Sequence, residues 1–212
     1  MDFPALKTNL QELSNQFAAQ RGDRQKRRTL VRADFDELAK AGFTLTAVLP
    51  EHGGLWAGVS GSVRHICDCL RILAHGDSSL ALVSTMHPVV LAFWLATPQV
   101  PEPYLAAWQA QRNFCSESAL DGHFWGTISS EPGSGGDIMN TKTRAKRNGS
   151  GYQISGLKHF GSGTGMMSFM ITTAIAAGES EPDVFFLDMR DIDLDGSQGA
   201  KLMFPWDGHG MT

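Results

Sequence analysis

The chain has 212 residues, 42% of them hydrophobic and 19% charged, with a formal net charge of −4. That size and apolar share suffice for a buried core, in one large domain or two small ones. The slightly acidic balance lacks the basic surface that nucleic-acid binding needs. Cys67, Cys69 and Cys115 cannot complete a disulfide framework, and they read as reduced thiols of a cytoplasmic protein.

The opening residues, Met1 to Lys7, hold no apolar run of the signal-peptide kind. Leu6, Leu10, Leu13 and Phe17 then recur at intervals of three and four, which predicts an amphipathic helix. Five arginines and lysines between Arg21 and Arg28 read as a solvated helix end or loop. A second helix is expected over 33–41, stopped by Gly42. The loop Leu49-Pro50-Glu51-His52-Gly53-Gly54-Leu55 follows. Val63, Ile66, Cys67, Leu70, Leu73 and Ala74 form the next apolar stripe, on which Cys67 and Cys69 face different ways and make a poor metal pair. No metal site is expected. Asp77 and Ser78 suit the N-terminus of a buried apolar helix over 80–96, too short for a bilayer, and Pro88 must bend, break or begin it. A proline-rich connector over 97–103 leads into a short helix carrying Tyr104, Leu105 and Trp108.

Near residue 113 the pattern changes from helical to strand-like. Strands are expected over 123–130, 141–147, 151–156, 167–177 and 184–189, separated by Gly, Asn, Asp and Pro turns. Helices first and strands afterwards argue for an α+β arrangement and against an alternating dinucleotide-binding fold. The expected organisation is a helical domain over 1–112 and an antiparallel, β-barrel-like domain over 113–212. The ending, Leu202 to Thr212, reads like the middle of a β-domain awaiting a continuation.

Two short segments carry the chemistry. Ser130-Glu131-Pro132-Gly133-Ser134-Gly135-Gly136-Asp137 is a turn of mostly small residues whose glycines permit positive φ and close approach of an anion. About twenty residues on, Gly156-Leu157-Lys158-His159-Phe160-Gly161-Ser162-Gly163 places a ring and a hydroxyl two residues apart, hence on one side of a strand. A hydroxyl, a glycine nest and an aromatic ring together suit a cofactor with a flat head and phosphates, and the reading is a flavin site. Glu131 and Asp137 are expected to cap turns instead of moving protons. His87 is expected to be structural, and Lys142, Arg144, Lys146 and Arg147 to form an exposed strand face.

These landmarks, in order, resemble the acyl-CoA dehydrogenase superfamily. Leu49-Pro50-Glu51-His52-Gly53-Gly54 is similar to its PEEYGG loop, and Asp36 to Phe43 to the helix before it. Ser130 to Asp137 resembles TEPGAGSD, Thr141 to Ala145 the following T-x-A strand, and Gly151 to Ser162 the GY-x-(L/I)-NG-x-K-x-WIT element. The resemblance implies FAD, a dimer or tetramer, and a C-terminal four-helix domain that this chain lacks. It further implies that Thr127 and Ser130 lie beside the flavin ring and that Gly135 and Gly136 contact the pyrophosphate. Gly136 would also touch the substrate chain, while Phe160 packs on the flavin with Gly161 and Ser162 next to it. The implied reaction is oxidation of an acyl-CoA or related substrate, with α-proton abstraction, β-hydride transfer to flavin, and an electron acceptor.

The family's catalytic glutamate belongs to the absent domain, so no catalytic residue is assigned here, neither Glu117 nor Glu131. Gly136 stands where the family has serine, and Phe160-Gly161-Ser162-Gly163 departs from WIT. That second pattern is closer to flavin-dependent monooxygenase relatives, which use reduced flavin, dioxygen and a separate reductase. A cofactor-free remnant or binding subunit is the non-enzymatic alternative.

Overall fold

A computed structural model describes residues 1–27 and 29–204 of the chain. Arg28 and residues 205–212, including His209 and most of the unfinished-looking ending, lie outside the described residues. Helix α1 (Phe3–Ala19) starts where the Asp2 carboxylate accepts the Ala5 N–H at 2.9 Å, with Pro4 in the first turn. Its buried stripe is Phe3, Leu6, Leu10, Leu13 and Phe17, each worth roughly 1.5–3 kcal/mol of burial before entropic costs. Helix α2 (Arg21–Arg24) is one turn long, and α3 (Arg32–Lys40) ends before Gly42, which takes φ 99°. Helix α4 (Gly58–Gly76) packs closely on α1. A Cβ on Gly76 would stand 2.5 Å from the Ser14 carbonyl oxygen, and the Ser14 hydroxyl donates to the Ile72 carbonyl at 2.7 Å.

The basic stretch is less solvated than its composition suggests. Arg24 is only 7% exposed, lies 3.8 Å over the Phe17 ring, and donates twice to Asp34 at 2.9 Å and once to Asp77 at 2.8 Å. Asp77 simultaneously caps α5 (Ser78–Ser84) by accepting the Leu80 N–H at 2.9 Å. One guanidinium therefore ties α2, α3 and α5 together.

The apolar stretch after Asp77 is two helices, α5 and α6 (Met86–Leu95), separated at Thr85. Pro88 supplies no N–H for the Ser84 carbonyl, and the break falls one residue beyond that carbonyl. Ser78–Leu95 is long and apolar enough by composition to cross a membrane, but half of it is buried inside this fold. Helix α7 (Glu102–Leu120) is longer than the expected short helix and runs through residue 113.

The sheet contains β1 (Trp125–Thr127), β2 (Arg144–Asn148), β3 (Gly151–Ser155), β4 (Phe169–Ala176) and β5 (Pro182–Asp188). Strand β4 is its centre. Along one edge it meets β1 in parallel, Trp125 opposite Phe169, and then β2 in parallel, Arg144 opposite Ile175. Along the other it meets β5 antiparallel, and β3 pairs antiparallel with β2. The expected antiparallel, barrel-like arrangement is therefore corrected to an open, mixed sheet. Closure needs two neighbours for every strand, yet β1, β3 and β5 have one each among the described residues. The long connection over 128–143 brings β2 back in the sense of β1, and the one over 156–168 reverses the chain again after β3, so β4 runs parallel to both; the two antiparallel pairs follow short turns. Trp94, Cys115 and Ala119 of the last helices pack on Trp125 and Phe169, seating the sheet on the helical layer.

Candidate functional site

Strand β1 delivers the chain into the glycine turn. Gly133, Gly135 and Gly136 take φ of 84°, 66° and 88°, the conformation that glycine permits. The Ser134 N–H donates to the Glu131 carbonyl and the Asp137 N–H to the Ser134 carbonyl, each at 3.2 Å. The N–H groups of Gly135 and Gly136 have no acceptor among the described residues, and a Cβ on either residue would meet nothing within 4 Å. The turn thus presents open backbone donors. Asp137 closes it by accepting the Met139 N–H at 2.9 Å, a turn-capping role as expected. Half-buried Thr127 and Ser129 share a hydroxyl–hydroxyl bond of 3.1 Å just before it.

Glu131 is buried, and its carboxylate is saturated. It accepts from the Thr141 hydroxyl, the Thr143 hydroxyl (2.6 Å), the Lys142 N–H (2.7 Å) and the Thr143 N–H (3.2 Å). The Lys158 ammonium lies 2.7 Å away, and the two side chains are only 5% and 9% exposed. Burial alone would raise the Glu131 pKa, but the lysine, both hydroxyls and the Lys142 amide together hold it well below the usual carboxylate range. Lys158 also donates to the carbonyls of Thr173 at 2.8 Å and Ser129 at 3.3 Å. The sequence reading gave Lys158, Thr141 and Thr143 no role. The available signal was an acid directly after an apolar-alternating segment, where burial demands a cation and hydroxyl donors.

The second segment is not a strand. Strand β3 ends at Ser155, so the argument that places Phe160 and Ser162 on one strand face does not apply. Phe160 instead adopts φ 56° and is 68% exposed, a left-handed conformation costing about 1–2 kcal/mol for a residue with a side chain. The His159 N–H donates to the Ser130 carbonyl at 2.9 Å, which draws this arm against the stem of the glycine turn. A Cβ on Gly161 would stand 2.5 Å from Thr164 Oγ1 and 2.8 Å from Ile128 Cδ1, so only glycine permits that approach. Ser130, Phe160 and Gly161 are thereby brought together, with half-buried Ser162 adjoining. Gly135 and Gly136 stand farther along the turn.

His87 is wholly buried and structural. Its Nε2 lies 3.0 Å from the Thr44 carbonyl oxygen and its Nδ1 3.2 Å from the Trp125 N–H, an arrangement in which Nε2 donates and Nδ1 accepts. Burial pushes its pKa down to about 4, against the smaller raising effect of the Thr44 bond. It welds α6 to the start of β1. Two surface depressions, of about 430 and 320 Å³, lie on the helical side, and neither includes the glycine turn or the Phe160 arm.

No protein-family model and no curated protein sequence matches the chain. Solved structures do. FMN-bound TdsC from Paenibacillus sp. A11-2 superposes with a TM-score of 0.70 at 18% identity over 91% of this chain and 46% of that one. Butyryl-CoA dehydrogenase from Megasphaera elsdenii gives 0.66 at 20% identity, over 86% and 48% respectively. The methanesulfinate monooxygenase MsuC from Pseudomonas fluorescens gives 0.65 at 22% identity, over 87% and 43%. The chain spans less than half of each of these proteins. Its helices and open sheet share the fold of the corresponding parts of these three proteins.

Proposed function

We propose that this chain provides the helical and sheet portions of a flavin-dependent monooxygenase. The observation that carries the reading is the glycine turn, with its free Gly135 and Gly136 N–H groups, held by hydrogen bonds beside an exposed, strained Phe160. Open amides in a positive-φ turn fit the phosphate of a flavin, and an exposed ring held at a conformational cost fits its aromatic head. The fold likeness to TdsC, whose structure holds FMN, and to MsuC supports this class over the dehydrogenation that the sequence resemblance implied. FAD and FMN both suit the turn. When bound and reduced, the flavin supplies two electrons to dioxygen, one oxygen atom entering the substrate and the other leaving as water.

The chain's own residues bind and orient. Gly135 and Gly136 donate N–H groups to phosphate oxygens, Thr127 and Ser130 offer hydroxyls to the ring, and Phe160, with Gly161 and Ser162, covers it and excludes water. Glu131 is no proton carrier, because four donors and an ammonium hold its charge in place. The division into 1–112 and 113–212, with α7 crossing it, a completing four-helix domain, dimer or tetramer assembly, a reductase partner and a cytoplasmic location all belong to the same proposal.

Acyl-CoA dehydrogenation is the second reading, favoured by the likeness to butyryl-CoA dehydrogenase. Anaerobic addition of butyryl-CoA to the flavin-loaded, longest product of this gene separates the two. The monooxygenase reading expects no bleaching by butyryl-CoA, bleaching by NADH with a flavin reductase, and rapid recovery in air. Direct bleaching by butyryl-CoA would establish the dehydrogenase reading in its place.

A further inference from the structure

The flavin contacts proposed above come from two separate stretches. Strands β2 and β3 are largely exposed; the Phe160 arm meets the stem of the glycine turn where Gly161 approaches Ile128, and Gly163 behind it packs on Val83 and Met167. Polar bonds fix their spacing alongside that contact. Glu131 directly follows Ser130, and Lys158 precedes Phe160 by two residues. The 2.7 Å ion pair between them joins the two stretches, beside the Lys158 bond to the Ser129 carbonyl and the backbone bond from His159 to Ser130.

The pair also reaches the sheet. Through Thr141, Lys142 and Thr143 it grips the lead-in to β2, and through the Thr173 carbonyl it grips the central strand β4. Four chain segments therefore meet at two side chains. A buried ion pair of this kind contributes little net stability relative to a well-packed apolar pair, because desolvation offsets much of the attraction. What it does supply is geometry: directional bonds fix separations that apolar contact leaves loose.

Resting on the flavin reading, we infer that Glu131 and Lys158 are a positioning pair that sets the separation of the glycine turn and the Phe160 arm, and thereby the seat of the flavin. Neither side chain touches the cofactor. Their effect is carried by Ser129 and Ser130 on one side and by His159 and Phe160 on the other.

The test uses the longest product of the gene and the variants Lys158→Met, Glu131→Gln and Lys158→Arg. FMN and FAD are titrated into each protein, the visible spectrum of the bound flavin is recorded, and amide hydrogen exchange is followed without flavin. For Lys158→Met and Glu131→Gln, flavin Kd should rise roughly tenfold to a hundredfold with a displaced absorption band. Exchange should quicken over both 129–137 and 156–162 while α1 and α4 stay protected. Lys158→Arg, which keeps the charge and donors, should recover most of the affinity. Should both charge-removing variants unfold, Thr143→Val trims one bond to Glu131 and is expected to move the same readouts less far. If the wild type binds flavin while folded variants keep its Kd, spectrum and exchange, the inference fails alone. Exchange that quickens in one stretch only also overturns it. A wild type that binds neither FMN nor FAD overturns the flavin reading, and this inference with it.

Discussion

Acidification should loosen the joint between helices and sheet through His87, by an amount the structure bounds. In the fold its ring is neutral, giving a proton to the Thr44 carbonyl and receiving one from the Trp125 N–H. Its folded pKa of about 4 lies below the ordinary value of 6.5, because burial disfavours the cation. Above pH 6.5 both folded and unfolded chains are neutral here and the two bonds contribute fully. Below it the unfolded chain takes up a proton that the folded one refuses until about pH 4, so stability falls across that window. At about 1.4 kcal/mol per pH unit the loss approaches about 3 kcal/mol at its limit. His87→Leu removes the titration and leaves a buried carbonyl and a buried N–H unpaired, each costing about 1–3 kcal/mol. Urea unfolding followed by tryptophan fluorescence should therefore show the variant less stable by roughly 2–5 kcal/mol at pH 7.5. The gap should close by about 2 kcal/mol or more at pH 4.5. A gap that stays constant across that range would refute the neutral, doubly bonded imidazole.

Phe160→Gly should raise the melting temperature slightly, since glycine relieves the φ 56° strain and an exposed ring is lost, while flavin binding weakens; a lower melting temperature would show the ring to be structural. Gly161→Ala forces a methyl toward Thr164 and Ile128, and should cost about 1–3 kcal/mol by thermal unfolding together with flavin affinity. Gly135→Val meets open space, so its stability cost should be confined to backbone strain of about 1–2 kcal/mol, yet flavin retention on gel filtration should drop. Full retention in the folded variant would move the phosphate elsewhere. The Glu131 contribution, measured as the stability difference from Glu131→Gln, should hold steady above about pH 4.5 and fade as pH drops further, because the folded carboxylate keeps its charge below the unfolded value.

The helical half was legible because its signals are local. Leu6, Leu10, Leu13 and Phe17 lie on one face of one helix, and Asp77 and Gly42 mark ends through their own backbone neighbourhoods. All five strands were located to within a few residues, but their pairing was not. The contact of Trp125 with Phe169 spans more than forty residues, and nothing in alternation at either end reports whether partners run parallel or whether an edge closes. At the site, the positive-φ glycines were readable from composition. The strand assigned to Phe160 was not, since a bulky residue in the left-handed region contradicts its own propensity. Lys158 and Arg24 were missed for a shared reason: a charged residue reads as solvated until its partner, distant in sequence, is known.

The most direct test is titration of FMN and FAD into this chain and, in parallel, into the longest product of its gene, following flavin fluorescence and its anisotropy. The account predicts saturable binding by the longer product, weakened by Gly135→Val and Phe160→Gly in the folded protein. Absence of binding by either preparation would contradict the flavin site and favour a cofactor-free binding role for the fold.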